Sequence, residues 1–447
     1  MIRGPAMLGV LRIRDFRNYY IGYTTSAFGD VLTPFALAFA VLHLTGSPTA
    51  LGIVVLSTRL PIIVFALVGG AVGDRFSRRT IMLTTDGVRF VAQAATAAIL
   101  LTGVAQVWML VVFQLTASAG AAFFNPAAQG LITSVVDKPH LRQANSLLAV
   151  SRSATSIIAV GSAGALVALT DPGWAIGVDA LTYLVSATAL SRLPRAHTAG
   201  HPGHKDGLLT SIRTGLSEVR SRTWLWVWTA HVGLINLLVI SPIFVLGPYV
   251  ADTYLGGAPA WAAVGISYAV GGLIGGIVSS RWKAARPMAA ALACSMMVVP
   301  LAVTLAVPAS LWLIVAASLF GGVQVSIYNV FQMTTVQNEL PDDLIARATS
   351  VLMLGGHLAV PIGTGLAGPI AAALGTRTVL GAIAVAAVLV TVGTLAVPAT
   401  WRIRTASTPE PSPVTPAPTP ASPQEIPAPE AGKQIMTAAD PVAARPR

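Results

Sequence analysis

Gly69-Gly70-Ala71-Val72-Gly73-Asp74-Arg75-Phe76-Ser77-Arg78-Arg79-Thr80 packs four charges between two long apolar runs and is too short to be a domain. Asp74 ends one run, and Arg78 and Arg79 open the next. A helix C-terminus carries partial negative charge, so an aspartate there needs a cation or another helix's N-terminus to meet it. The stretch therefore reads as a latch; the plainer reading is arginines holding a turn on the inner side of a membrane.

The surrounding runs set the class. Of 447 residues, 54% are hydrophobic and 10% charged, where soluble domains carry roughly 25% charge. Runs of the ~20 residues needed to cross a bilayer recur up to Val397. Twelve spans are expected, near Tyr19–His43, Thr49–Val72, Arg79–Thr102, Val107–Thr133, Ala144–Leu169, Trp174–Arg192, Trp224–Val250, Trp261–Ser280, Met288–Val307, Leu311–Val336, Thr349–Leu374 and Thr378–Val397. The net charge of +11 sits in short loops, which argues for membrane orientation and against a nucleic-acid groove. With the N-terminus inside, the inner loops receive Arg75, Arg78, Arg79, Lys138, Arg142, Arg192, Arg195, Lys205, Arg213, Arg220, Arg222, Arg281, Lys283, Arg286 and Arg347; the outer loops receive Arg377. Both termini are thus expected in the cytoplasm of a multi-pass plasma-membrane protein. The N-terminus lacks the pattern of a signal peptide, and the single Cys294 makes no intramolecular disulfide.

Four regions follow: a six-helix bundle over 1–190, a linker over 191–223, a second bundle over 224–400 and a tail over 401–447. In the linker, Leu209, Ile212, Leu216 and Val219 recur at helical spacing, as in a helix lying on a membrane surface. His197, His201 and His204 sit in the same Gly/Pro-containing loop, which reads as a linker rather than a metal site. Eleven prolines beyond Thr405 give the tail the composition of a disordered segment.

The halves repeat. Phe124-Asn125 and Tyr328-Asn329 lie 204 residues apart, and 21 residues beyond each asparagine stand Ser146 and Ser350. Gly275-Gly276-Ile277-Val278-Ser279-Ser280-Arg281 mirrors Gly69 to Arg75 at a spacing of 206, with Ser280 for the aspartate. Two six-span halves in parallel repeat are a transporter build, with the ligand between them at mid-membrane.

Gly70 through Arg79 resembles the Gly-x-Leu-x-Asp-Arg-x-Gly-Arg-Arg/Lys loop of the major facilitator superfamily, with Val72 for Leu and Ser77 for Gly. Arg14-Asp15-Phe16-Arg17-Asn18, Gly29-Asp30 and Phe124-Asn125-Pro126-Ala127 resemble the branch holding macrolide-efflux and enterobactin-export proteins. The resemblance implies alternating access, export driven by proton entry, and a loop aspartate, Asp74, that braces the start of the eleventh span. Two departures stand out: Gln114 replaces the arginine common in the fourth span of exporters, and Ala159-Val160…Ala163-Gly164 lacks the proline of the antiporter motif.

Charge at a helix centre in a bilayer costs about 2.5–3.5 kcal/mol on insertion scales, so the residues that bear it are functional candidates. Asp30, mid-way along the first span, is the candidate proton carrier, with permanent pairing to Arg59 or another cation as the alternative. Gly70, Asp74, Arg75, Arg78 and Arg79, joined by Asp86 and Arg89 three residues apart on one helical face, form the expected gating loop. Arg59, Gln114, Arg152, Gln324 and His357 are cavity candidates, with His357 weighed as a hydrogen-bonded core histidine. Asp179 is expected near the outer surface and hydrated. Asn125 and Asn329 are expected as interhelical amides, and Gly271, Gly272, Gly275, Gly276, Gly363, Gly365 and Gly368 as close-packing positions. No phosphate loop, catalytic constellation, metal ligand set or cofactor site is read. The expected function is secondary active, proton-coupled efflux of small hydrophobic or amphiphilic compounds by a monomer. A siderophore or metabolite exporter, and a non-transporting receptor or scaffold using the tail, are the alternatives.

Overall fold

The computed structural model describes residues 9–194, 217, 220–307 and 309–404, leaving aside the side chains of 66–75, 138, 342–343, 346–347 and 354. Twelve long helices follow one another: α1 Arg14–Thr45, α2 Pro48–Arg75, α3 Arg78–Leu101, α4 Val107–Val135, α5 Leu141–Leu169, α6 Pro172–Ser191, α7 Thr223–Tyr254, α8 Ala258–Arg281, α9 Pro287–Ala306, α10 Leu311–Glu339, α11 Asp342–Leu374 and α12 Thr376–Leu395. All the described helices but α3 that reach such lengths are apolar enough to cross a membrane; α3 carries Arg78, Arg79, Asp86 and Arg89. The bounds lie within a few residues of the hydropathy reading except at α1 and α11, which begin five and seven residues earlier in polar sequence.

Local chemistry sets several ends. Ser77 caps α3 by accepting from the Thr80 amide at 3.1 Å. Asp171 caps α6 through Gly173 N at 2.7 Å, with Pro172 at the first helical position. Gly46, at φ 59°, closes α1 in the left-handed conformation. A π-turn at Asn236–Ile240 interrupts α7.

The helices form two halves, α1–α6 and α7–α12, with the pseudo-symmetric six-plus-six arrangement. Call the end holding the start of α1 the near end. Contacts joining the halves gather at the far end, where α2 meets α11 and α5 meets α8. A Cβ on Gly52 would stand 2.8 Å from the Thr364 carbonyl, and one on Gly368 would strike the Pro48 backbone. His43 of α1 faces Asp252 of α7 at 3.6 Å.

Small residues set the tightest packing, between α8 and α10. Gly271 and Gly275, four apart on one face, lie against the Leu319 and Val323 carbonyls, and Gly322 meets the Tyr268 carbonyl. Without a hydrophobic drive between helices in lipid, such close backbone approach supplies the association. Gly276, next in sequence, meets nothing within 4 Å. Gly275→Ala is expected to cost about 1–3 kcal/mol as overpacking, and Gly276→Ala to be neutral or slightly stabilising. Thermal unfolding of both variants in detergent measures the difference.

Candidate functional site

The charged side chains of the first half converge on Arg89. Eleven residues into α3, about 16 Å along the helix, it is 3% exposed and so needs a partner for every donor it can place. Its Nη2 donates to Asp30 Oδ1 of α1 and, at 2.7 Å, to the Tyr183 hydroxyl of α6. Tyr183 in turn donates to Asp30 Oδ1 at 2.8 Å. The guanidinium lies 4.0 Å from the Tyr183 ring centroid and 5.5 Å from that of Phe124 of α4, a cation–π arrangement. Gly120 of α4 leaves room for the Arg89 stem. Arg89 therefore ties four helices of one half together.

Beside it, Asp179 of α6 is fully buried and accepts from Thr33 of α1 at 2.5 Å and from Thr182 at 3.3 Å. A Cβ at Gly29 would overlap Asp179 and Thr182, so only glycine lets α1 and α6 approach there. Asp86 of α3 is also fully buried, and neither of its oxygens has a hydrogen-bond partner. Asp30 alone of the three carboxylates is open, with 41% of its side chain exposed.

This geometry corrects several expectations. Asp30 pairs with Arg89 rather than Arg59, which is exposed. Asp86 and Arg89 share a face as expected, but that face turns into α1 and α6 and not toward a loop gate. Asp179 is sealed in the bundle, not hydrated. Arg78 donates to the Gly130 carbonyl of α4, and Arg79 to the Leu190 and Ser191 carbonyls of α6 at 3.0 and 2.6 Å. These arginines clasp helices of their own half, meeting the negative end of α6, so they do not bridge the two halves. The side chains of Gly70, Asp74 and Arg75 lie outside the described residues, as do the linker histidines, most of the linker helix and the tail.

The second half holds a cavity of about 440 Å³ among α7, α9, α10 and α11, nearer the near end. Gln324 and His357 line it as expected, with Asn329 exposed on its wall. His357 is not a core histidine: it sits exposed on the rim, Nδ1 2.7 Å from the Met353 carbonyl. Gln114 is no cavity residue; it is buried and donates to Gln93 of α3 at 3.1 Å. Arg152 is exposed on α5 and Asn125 on α4, neither at this cavity.

Sequence reasoning missed His231, Tyr183 and Gln93. His231, 1% exposed, bonds Ser295 at 3.0 Å and Thr394 at 3.1 Å and stacks on Tyr328 at 5.7 Å, forming the cavity floor. An ionisable residue within an apolar span was the available signal.

Two like helical halves closed at one end, with buried charge in one and an internal cavity in the other, are the build of a membrane transporter. The chain belongs to the Major Facilitator Superfamily, whose family model matches residues 19–364. The family is one of transporters for small molecules, not of enzymes, and the chain is a multi-pass membrane protein. Macrolide efflux protein A of Streptococcus pyogenes is 23% identical over 354 residues, 78% of this chain and 87% of that protein. Multidrug efflux pump Tap of Mycolicibacterium fortuitum is 26% identical over 406 residues, 86% and 96% respectively. A 30% match to the MFS-type transporter YfiS of Bacillus subtilis (strain 168) spans 201 residues, 44% of this chain and 47% of that one. Among solved structures, the nucleoside transporter NupG shares the fold with TM-score 0.70 at 12% identity, covering 87% of this chain and 100% of that chain. A bacterial homologue of the iron transporter ferroportin in the inward-facing state gives TM-score 0.69 at 17% identity, covering 87% and 99%.

Breaking a buried pair from one side leaves the other charge stranded, at about 3–5 kcal/mol. Because Asp30 is partly open to solvent, Arg89→Met is expected to cost about 3 kcal/mol, and Arg89→Met with Asp30→Asn to recover part of that loss. A double-mutant cycle on thermal unfolding reads the coupling.

Proposed function

We propose that the chain is a proton-coupled exporter of small hydrophobic or amphiphilic compounds, working by alternating access between halves 1–190 and 224–400. The observation that carries the substrate class is the lining of the cavity, which among the described residues holds no Asp, Glu, Lys or Arg. Its walls are aliphatic and methionine side chains set with a few amides, hydroxyls and imidazoles, the mixture that suits apolar ligands bearing scattered hydrogen-bonding groups. An anionic ligand finds no guanidinium there, which disfavours the siderophore reading. The efflux named for two of the relatives points the same way.

Coupling is assigned to Asp30. It is the exposed member of the buried charge group, so a proton arriving from the cavity side meets it first, and its neutralisation releases Arg89. The distribution of basic residues supports an orientation with both termini in the cytoplasm, and the transporting unit proposed is a monomer in the plasma membrane. With that orientation the near end is the inner one, and the contacts gathered at the far end make this the inward-facing state.

Two measurements test the proposal. In vesicles with an imposed pH gradient, Asp30→Asn is expected to abolish gradient-driven movement of hydrophobic antibiotics while the protein stays folded; undiminished flux would remove Asp30 from coupling. In a Cys294→Ser background, oxidising the pair His43→Cys and Asp252→Cys is expected to lock the far end and stop transport, with recovery on reduction. Full flux in the cross-linked protein would rule out opening at that end.

A further inference from the structure

We infer that Asp86 is a second proton-binding site of the first half, and the partner that Arg89 takes when it leaves Asp30. Asp86 is 0% exposed, and both of its oxygens lack a hydrogen-bond partner. A buried carboxylate without hydrogen-bond donors from the protein is among the most unfavourable groups an interior can hold, whereas the neutral acid is tolerated. Asp179, equally buried, differs in having the Thr33 and Thr182 hydroxyls to satisfy a charge.

The groups facing Asp86 define what it can do. On its own helix Arg89 stands three residues on, along the same face. Asp30, which holds Arg89, lies on α1, and Asp179 and Tyr183 face Asp86 from α6. The Ser186 hydroxyl of α6 sits beside Asp86, and neither completes a hydrogen bond. Of the three carboxyl groups only Asp30 holds the guanidinium, and Arg89 itself retains an unpartnered Nε. In the state shown, Asp30 holds Arg89 and Asp86 holds a proton. When Asp30 is protonated, Arg89 turns back along α3 toward Asp86, which gives up its proton as it ionises. One proton is gained at Asp30 and one released at Asp86, so the charge of the group is unchanged while the proton has moved between helices.

The inference goes beyond the export reading and is tested without transport. Infrared spectra of the full chain in lipid nanodiscs, with isotope-labelled aspartate, report protonated carboxylic acids directly. At neutral pH a band from a weakly hydrogen-bonded acid is expected, lost in Asp86→Asn and retained in Asp179→Asn. In Asp30→Asn, Arg89 loses its carboxylate partner and turns to Asp86, so the Asp86 band is expected to vanish as well. A spectrum unaltered by Asp86→Asn overturns the protonation. A band that survives Asp30→Asn overturns the exchange of partners. Asp86→Ser serves as a second variant should the amide disturb folding, and is expected to lose the same band. Either infrared result stands whatever the driving force for transport proves to be.

Discussion

A guanidinium held away from water, 3% exposed and three turns into a membrane helix, constrains the whole first half. Arg89 cannot be left bare, so Asp30, Tyr183 and the ring of Phe124 are brought to it from three other helices. Each approach then imposes its own small residue: Gly29 where α1 meets α6, and Gly120 where α4 passes the arginine stem. The bundle is therefore organised around a polar centre as much as around its apolar packing. The apolar clusters lie on either side of that centre: Phe16, Tyr19 and Met82 toward the near end, and Leu32, Phe39 and Ile176 toward the far end.

The second half answers the same geometry differently. Asp86 and Ser295 are each the ninth residue of their helices, α3 and α9. Where the first half has an unpaired carboxyl, the second has a hydroxyl bonded to His231, and Val298 stands at the place of Arg89. With no buried cation to satisfy, α7, α10 and α11 are free to leave a cavity. The two copies of the repeat thus differ, with a buried charge group in one and a cavity in the other. A shared helical framework and locally different polar residues are enough to produce that split.

The framework was legible in the sequence because hydropathy, span length and loop charge are local properties. The pairings were not, because a helix face is local but its neighbour is not. That Asp86 and Arg89 share a face follows from a spacing of three; that the face meets α1 and α6 is a result of packing. Pairing of Asp30 was left open between Arg59 and another cation; the cation is Arg89, one helix beyond the adjacent span. The arginines of the loop were read as parts of a gate, whereas Arg79 binds the open carbonyls at the end of α6, within its own half. Asn125 and Asn329, equal in the repeat, part company for the same reason: only Asn329 borders a cavity.

The distribution of strong and weak contacts decides which parts can move. Arg89 and its partners lie wholly within one half, so rocking the halves does not require breaking a buried ion pair. The far-end junction is made of glycines against backbone, as at Gly52 and Gly368, or against the Ala262 methyl, as at Gly164, and of a His43–Asp252 pair with solvent at both members. Exposed pairs contribute at most about 1 kcal/mol, and the junctions of α2 with α11 and of α5 with α8 are less extensive than that of α8 with α10. The junction between the halves is thus held more weakly than the charged centre, which is costly to disrupt. Any signal from the centre to the seam must leave through a member that belongs to both. Asp30 is on α1, the helix that ends at His43, and it is the carboxylate of the group that solvent reaches.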